Sequence, residues 1–235
     1  MNLKFLKYTA LLLGIVSASA SFAAVRPEST RALIYVSDKE GSVPITNDST
    51  DTAYLVQSWL VDLKGNDKNI PVILTPPLFK IEPKKQAKLR LMVVPNQLPQ
   101  DRESVYWLVI QEIPPKTTAK SNELVVAVRT RMKVFIRPQG LEGKPRESVE
   151  KLNWRVESSG KESWLVAQNP TPYYVSFAEL DVNSKELSDR REMVPAKGEA
   201  RYRLPAGVSA GNLNVSYSAI NDFGGNSAVI TKSVK

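Results

Sequence analysis

The chain contains neither cysteine nor histidine. Without cysteine, no disulfide can staple the fold and no thiol can act as nucleophile or redox centre. Without histidine, His-based triads and imidazole acid–base catalysis are gone, and the two absences together remove tetrahedral Cys/His zinc sites. Only carboxylates, Ser/Lys pairs and bound cofactors are left for an enzyme to use, and no spacing of acidic residues suggests a metal site. Long amphipathic helices are missing as well. The single N-terminal apolar run is too short to span a bilayer, and no later run reaches spanning length, so membrane insertion is not expected. With 42% hydrophobic residues, the chain can build its cores without disulfides.

What is present begins with an export pattern. Lys4 and Lys7 precede a short apolar stretch at residues 10–16, and Ser21-Phe22-Ala23 supplies small residues at the positions a signal peptidase reads. Residues 1–23 are therefore read as a signal peptide, with cleavage after Ala23. Two lysines and no acid in that segment leave +6 of the formal +8 charge on residues 24–235. A basic balance points to anionic partners of some kind. Export argues against nucleic acid as that partner.

Apolar residues alternate with period two through most of the chain, which predicts strands. These cover residues 30–36, 43–46, 54–63, 87–94, 104–113 and about 123–136 in the first half. In the second half they cover 152–157, 163–168, 174–182, 201–204, 214–220 and 228–232. Between 87 and 94, Ala87, Leu89, Leu91 and Val93 share one face, with Lys88 and Arg90 opposite. Pro114-Pro115 ends the strand before it, since proline cannot donate to a ladder. The polar stretch around 139–147, with Gly140, Gly143 and Pro145, reads as a linker. The pattern implies an all-β protein of two sandwiches, one over residues 24–140 and the other over 141–235.

The strand at 123–136 is the most informative local feature. Leu124, Val126 and Val128 alternate along it, as on an edge that could pair with another chain. A central strand buried on both faces would carry the same aliphatics, although Arg129, Arg131 and Lys133 count against full burial. Ser158-Ser159-Gly160-Lys161 has the bare Ser-x-x-Lys spacing of serine–lysine hydrolases, but it falls in a Gly-containing turn where the catalytic version opens a helix. Asp101, Glu103, Glu112 and Asp222 are the acids that could form carboxylate pairs; turn capping or pairing with arginine explains each of them as well.

Several segments carry a family resemblance. Residues 98–115, LPQDRESVYWLVIQEIPP, and 130–138, TRMKVFIRP, resemble the signature of periplasmic pilus chaperones, the PapD-like family. The segments NPTPYYV at 169–175 and INDFGG at 220–225 look like family segments too, and Ser29-Thr30-Arg31 sits where the family has its cleft arginine. Val109 departs from the signature, which usually carries Asn or Cys there.

The resemblance implies two immunoglobulin-like β-sandwich domains in a boomerang arrangement with a cleft between them. It implies that Arg31 and Lys133 anchor the C-terminal carboxylate of a pilus subunit, and that Leu124, Val126 and Val128 are donated as a strand to a subunit one strand short. Glu103, Arg137 and Asp222 match an interdomain ion-pair network that sets the angle between domains. A simple pleat would put Lys133 and the three aliphatics on opposite faces, because their numbers differ in parity; a twist or a bulge could reconcile them. The loop at 115–122 is short, as in the family branch that assembles rod-like pili. The implied partners are pilus subunits and an outer-membrane usher, with no cofactor and no enzymatic activity; a self-dimer of the free chain is left open. The rival readings are a pilus subunit or surface adhesin, against which stand two similar halves and no cysteine pair, and an exported serine–lysine hydrolase.

Overall fold

The computed structural model of the chain describes residues 24–116, 126–159, 162–187, 192–208 and 211–234. The first half is built from β1 Val25–Pro27, β2 Arg31–Tyr35, β3 Glu40–Asn47, β4 Tyr54–Val61, β5 Val72–Thr75, β6 Leu78–Ile81, β7 Gln86–Val93, β8 Ser104–Ile113 and β9 Arg129–Arg137. The second half contributes β10 Asn153–Ser159, β11 Glu162–Asn169, β12 Phe177–Val182, β13 Lys185–Glu186, β14 Gly198–Arg203, β15 Leu213–Ala219 and β16 Ile230–Val234. Short 3-10 turns at Val36–Asp38 and Pro145–Glu147 are the helical elements among the described residues.

Each half is a pair of packed sheets. In the first, the order β1-β3-β7-β5 faces β2-β9-β8-β4-β6; in the second, β10-β11-β14 faces β13-β12-β15-β16. The protein is all-β, two immunoglobulin-like sandwiches in sequence. Alternation explains which side each strand buries. In β7, Leu89, Leu91 and Val93 point inward while Lys88 and Arg90 are exposed. In β9, Met132, Val134 and Ile136 join the first core with Leu108 and Ile110 of β8. The odd-numbered residues of β9 are thereby forced onto the outer face.

The second sandwich uses aromatic rings where the first uses aliphatics. Tyr217 packs edge-on to Phe177 at 5.8 Å between ring centroids and lies 5.1 Å from Trp154; Phe177 meets Tyr202 at 5.8 Å. Offset and edge contacts of this kind each add about 0.5–1.5 kcal/mol beyond area burial. The Tyr217 hydroxyl donates to the Val149 carbonyl and the Tyr202 hydroxyl to that of Glu192, so neither buried phenol is left unpaired.

The expected strands recur with shifted ends, and β8 begins and ends where the alternation places it. Residues 25–27, 72–75, 78–81 and 185–186 are additional short strands whose few residues give alternation too little length to register. The strand expected at 123–136 is corrected: it starts at Arg129, and residues 126–128 are not in a strand. β8 continues to Ile113, two residues past the partner of Arg129, but beside Val128 the ladder keeps only the bond from Glu112 N, because Val128 N turns to the Glu112 carboxylate. The export segment at 1–23, Leu124 and most of the 115–122 loop lie outside the described residues.

Leu108 is fully buried at the centre of the first core. Leu108→Ala should therefore cost about 2–5 kcal/mol. In urea unfolding the midpoint should fall at an unchanged slope; an unmoved midpoint would show that the side chain does not fill the core.

Candidate functional site

Two basic residues meet at the edge of the five-stranded sheet. β2 runs parallel to β9, with Arg31 opposite Lys133, Leu33 opposite Phe135 and Tyr35 opposite Arg137. Neighbours in register share a face, so the cations of Arg31 and Lys133 stand side by side. Arg31 Nη1 donates to the Ile220 carbonyl at 3.2 Å, while its Nε is buried without a partner. Lys133 Nζ donates to Ser176 Oγ at 3.1 Å. Both bonds cross from the first sandwich to the second. Among the described residues no carboxylate lies within ion-pairing distance of either cation.

Burial penalises both charges. It lowers the pKa of Arg31 from its ordinary value, with Asp222 nearby acting in the opposite sense. Burial and the adjacent Arg31 charge push Lys133 down to about 8. Two unpaired, partly desolvated cations with a free donor form a site that gains from any anion reaching it. Beside it opens a cleft of about 580 Å³, whose walls include Arg31, Phe135, Arg137, Tyr174, Ile220 and Phe223. Lys133 is outside that wall, on the part of β9 that faces Trp107.

The remaining expected donor residues are placed differently. Val126 is 64% exposed and Val128 half-buried. The Glu112 N–H donates to the Val128 carbonyl at 3.1 Å, and Glu112 Oε1 accepts from Val128 N at 3.3 Å. The same carboxylate accepts from Val25 N at 2.9 Å, so a buried acid joins the first strand to the start of β9. Since 112 and 128 form a hydrogen-bonding pair, ladder alternation turns the main-chain groups of 127, 129 and 131 away from β8. On that side β2 begins only at Arg31. Among the described residues, no strand pairs with the edge of β9 before Lys133.

Glu103, Arg137 and Asp222 do come together. Arg137 Nε donates to Glu103 Oε1 at 2.6 Å, and its two terminal nitrogens bind the Asp222 carboxylate at 2.9 and 3.0 Å. Glu103 Oε2 accepts from Tyr174 N at 2.8 Å, and Glu103 N donates to the Pro172 carbonyl. Burial pushes the Glu103 carboxyl up, with Arg137 and the Tyr174 amide pulling the other way. For Arg137, burial is outweighed by its two acidic partners, which hold its pKa above the ordinary value. The guanidinium also lies 5.3 Å from the Tyr173 ring centroid and 5.7 Å from that of Tyr35. A small apolar cluster of Val105, Phe135 and Met193, with Leu33 and Tyr174 against it, closes the same junction.

The comparisons with known proteins agree over nearly the whole chain. Residues 24–142 match the model of the pili and flagellar-assembly chaperone PapD N-terminal domain, and residues 147–231 that of the pili assembly chaperone PapD C-terminal domain. The chain belongs to the PapD-like family of pilus assembly chaperones. It is 38% identical to the chaperone protein LpfB of Salmonella typhimurium over 98% of both chains, and 41% identical to the probable fimbrial chaperone LpfB of Escherichia coli O157:H7 over 97% of both. Among solved structures, the YadV chaperone is similar at a TM-score of 0.75 and 32% identity, covering 89% of this chain and 99% of that one.

PapD-like proteins are assembly chaperones rather than enzymes, and the Ser-x-x-Lys spacing fits that. Ser158 Oγ is 3.2 Å from Ser163 Oγ in the exposed β10–β11 hairpin, and Lys161 lies outside the described residues. Val109, the departure from the family signature, is buried on the outer face between Trp59 and Arg131 in register. Sequence reasoning missed the clamp made by Glu112, Ser176 as the partner of Lys133, and Phe223, which is 97% exposed on the turn beside Arg31. Glu112 could have been flagged by its parity, which puts a carboxylate on the core side of β8; nothing local marks Ser176 or Phe223.

Removing the guanidinium from the buried ion-pair network would strand Glu103. Arg137→Leu should cost about 3–5 kcal/mol in urea unfolding, and the double variant Glu103→Leu with Arg137→Leu should recover most of it. A single variant within a few tenths of a kcal/mol of the parent would show that the network contributes little.

Proposed function

We propose that this chain is a periplasmic chaperone that binds, folds and caps pilus subunits by donor-strand complementation and delivers them to an outer-membrane usher. In this reading Arg31 and Lys133 hold the subunit's terminal carboxylate. Leu124, Val126 and Val128 supply the strand that the subunit lacks, and the network of Glu103, Arg137 and Asp222 sets the angle between the two halves. The mature chain begins after Ala23, with its two functional halves meeting at the 139–147 stretch.

The observation that carries the reading is the pair of adjacent, partly buried cations with no acidic partner among the described residues, beside an open strand edge. An anion placed there gains charge-assisted hydrogen bonds without displacing an existing ion pair. A chain terminus is an anion that comes with a strand attached. Main-chain pairing along the open edge supplies affinity, and the carboxylate fixes the register. Sequence resemblance supports the usher as the acceptor.

Arg31→Ala or Lys133→Ala should abolish co-purification of a co-expressed pilus subunit while far-ultraviolet circular dichroism stays that of the parent. Neither change removes a core side chain, and Lys133→Ala deletes a charge that burial already disfavours. Normal subunit recovery with either variant would sink the anchor assignment.

Acidity gives an independent check. Lys133 must be charged to hold a carboxylate, and in the free protein it loses its proton at about 8. Capture of a subunit-tail peptide should be insensitive to pH below that value. It should weaken by about tenfold per pH unit above it, until the raised pKa of the occupied site is reached. In Lys133→Met this dependence should vanish; a flat profile in the parent protein would show that the amine is not at the anchor.

A further inference from the structure

The outer face of β9 is a row of cations lying on aromatic rings. Arg129 lies 5.4 Å from the Trp59 ring centroid, Arg131 4.7 Å from that of Trp107, Lys133 5.7 Å from Trp107, and Arg31 5.8 Å from Phe135. The register places the rings within reach: Lys133 pairs directly with Trp107, Arg131 lies diagonal to it, and Trp59, which is across Val109 from Arg131, lies diagonal to Arg129. The guanidinium of Arg129 is further fixed by two hydrogen bonds from its Nε and Nη2 to Gln111 Oε1, at 3.1 and 2.8 Å. Among the described residues Arg129 and Arg131 have no acidic partner, although other surface arginines do: Arg155 meets Glu157 and Glu199, and Arg203 meets Glu162. Their positions are held by rings and an amide, which leaves their charge unneutralised.

We infer that Arg129 and Arg131 extend the carboxylate anchor into a recognition strip that favours subunits whose C-terminal segment carries acidic side chains at alternate residues. This rests on the reading of Arg31 and Lys133 as the anchor. A strand on the open edge of β9 is confined to the part before Lys133, because Arg31 occupies the next register position. To bring its terminal carboxylate to Arg31 and Lys133, the strand must run parallel to β9 and end beside Arg131. Its last residue then faces Arg131 across the pair, and its third-from-last faces Arg129, both on the outer side of the sheet. Side chains of neighbouring strands in register stand about 5 Å apart at Cβ, which is within ion-pair reach for Asp or Glu against arginine. Like charges at those positions are repelled, so the strip selects against basic tails as well as for acidic ones.

The test uses the full mature chain and synthetic peptides of alternating valine and serine. One peptide carries Asp at the last and third-from-last positions with a free carboxylate. A second has Asn at both, and a third is the Asn peptide with an amidated C-terminus. Binding is followed by titration calorimetry at low salt and in 1 M sodium chloride. Two exposed ion pairs should favour the Asp peptide over the Asn peptide by about tenfold at low salt, with the preference largely lost at high salt. The preference should disappear in a variant carrying Arg129→Gln with Arg131→Gln. Equal binding of the Asp and Asn peptides, or a preference that survives in the variant, overturns the strip while leaving the anchor standing. The amidated peptide reports on the anchor alone: if it binds as well as its free acid, or if no peptide binds, the anchor reading falls and the strip with it.

Discussion

β9 has to satisfy two environments at once, and the rest of the molecule is arranged around that constraint. Its even-numbered residues, Met132, Val134 and Ile136, complete the first core, so the odd-numbered residues must all emerge on the opposite side. Four of these are Arg129, Arg131, Lys133 and Arg137. A period of two therefore concentrates positive charge on one sheet face with no choice of rotamer to spread it. The structure answers with three devices along the strand. Rings underlie Arg129 and Arg131, a hydroxyl meets Lys133, and two carboxylates enclose Arg137.

Lys133 and Arg137, four residues apart on one strand, differ in a way that supports the separate roles proposed for them. Arg137 is buried with side chains of opposite charge on both sides, one of them from the second sandwich. Its five donors suit that position, and a lysine could not reproduce the fork onto Asp222. Lys133 is partly desolvated with a hydroxyl and a ring beside it but no acidic partner among the described residues, so its charge is carried at a cost to the free protein. Replacing a buried, fully paired network by apolar groups can be nearly neutral, whereas a partly desolvated cation with no acidic partner gains from an anion placed beside it. The first arrangement suits a fixed junction; the second suits a site that is filled and emptied.

Much of this was legible in the sequence because alternation needs only length. β8 was readable to the residue, and β7 to its two faces, since each has enough residues for the period to show. The two- to four-residue strands were not readable, as β5 and β6 owe their state to pairing with β7 and β4 rather than to local pattern. The parity conflict between Lys133 and the aliphatics at 126 and 128 was visible in the residue numbers. What the numbers could not show is that residues 126–128 leave the strand, so that the period of two cannot be counted through them. The Arg137 network came from resemblance. Its bond lengths, and the contacts of Glu103 with Tyr174 and Pro172, needed the fold to bring residues separated by seventy positions or so together.

The end of the β8–β9 ladder shows how an exposed segment can be kept ready for pairing without already being paired. A regular hydrogen-bonding pair would have Val128 N donating to the main-chain carbonyl of Glu112; it donates to the side-chain carboxylate of the same residue. The reciprocal bond, from Glu112 N to the Val128 carbonyl, is retained. Val128 is thus tethered on the β8 side without the ladder being propagated past it, and the carboxylate that does this is also held by the first strand of the sandwich. Beyond it Val126 stands in solvent, where an isolated strand has no stability of its own. Under the proposed function, strand formation there awaits a second chain, and the tether at Val128 limits how many residues must be ordered when that chain arrives.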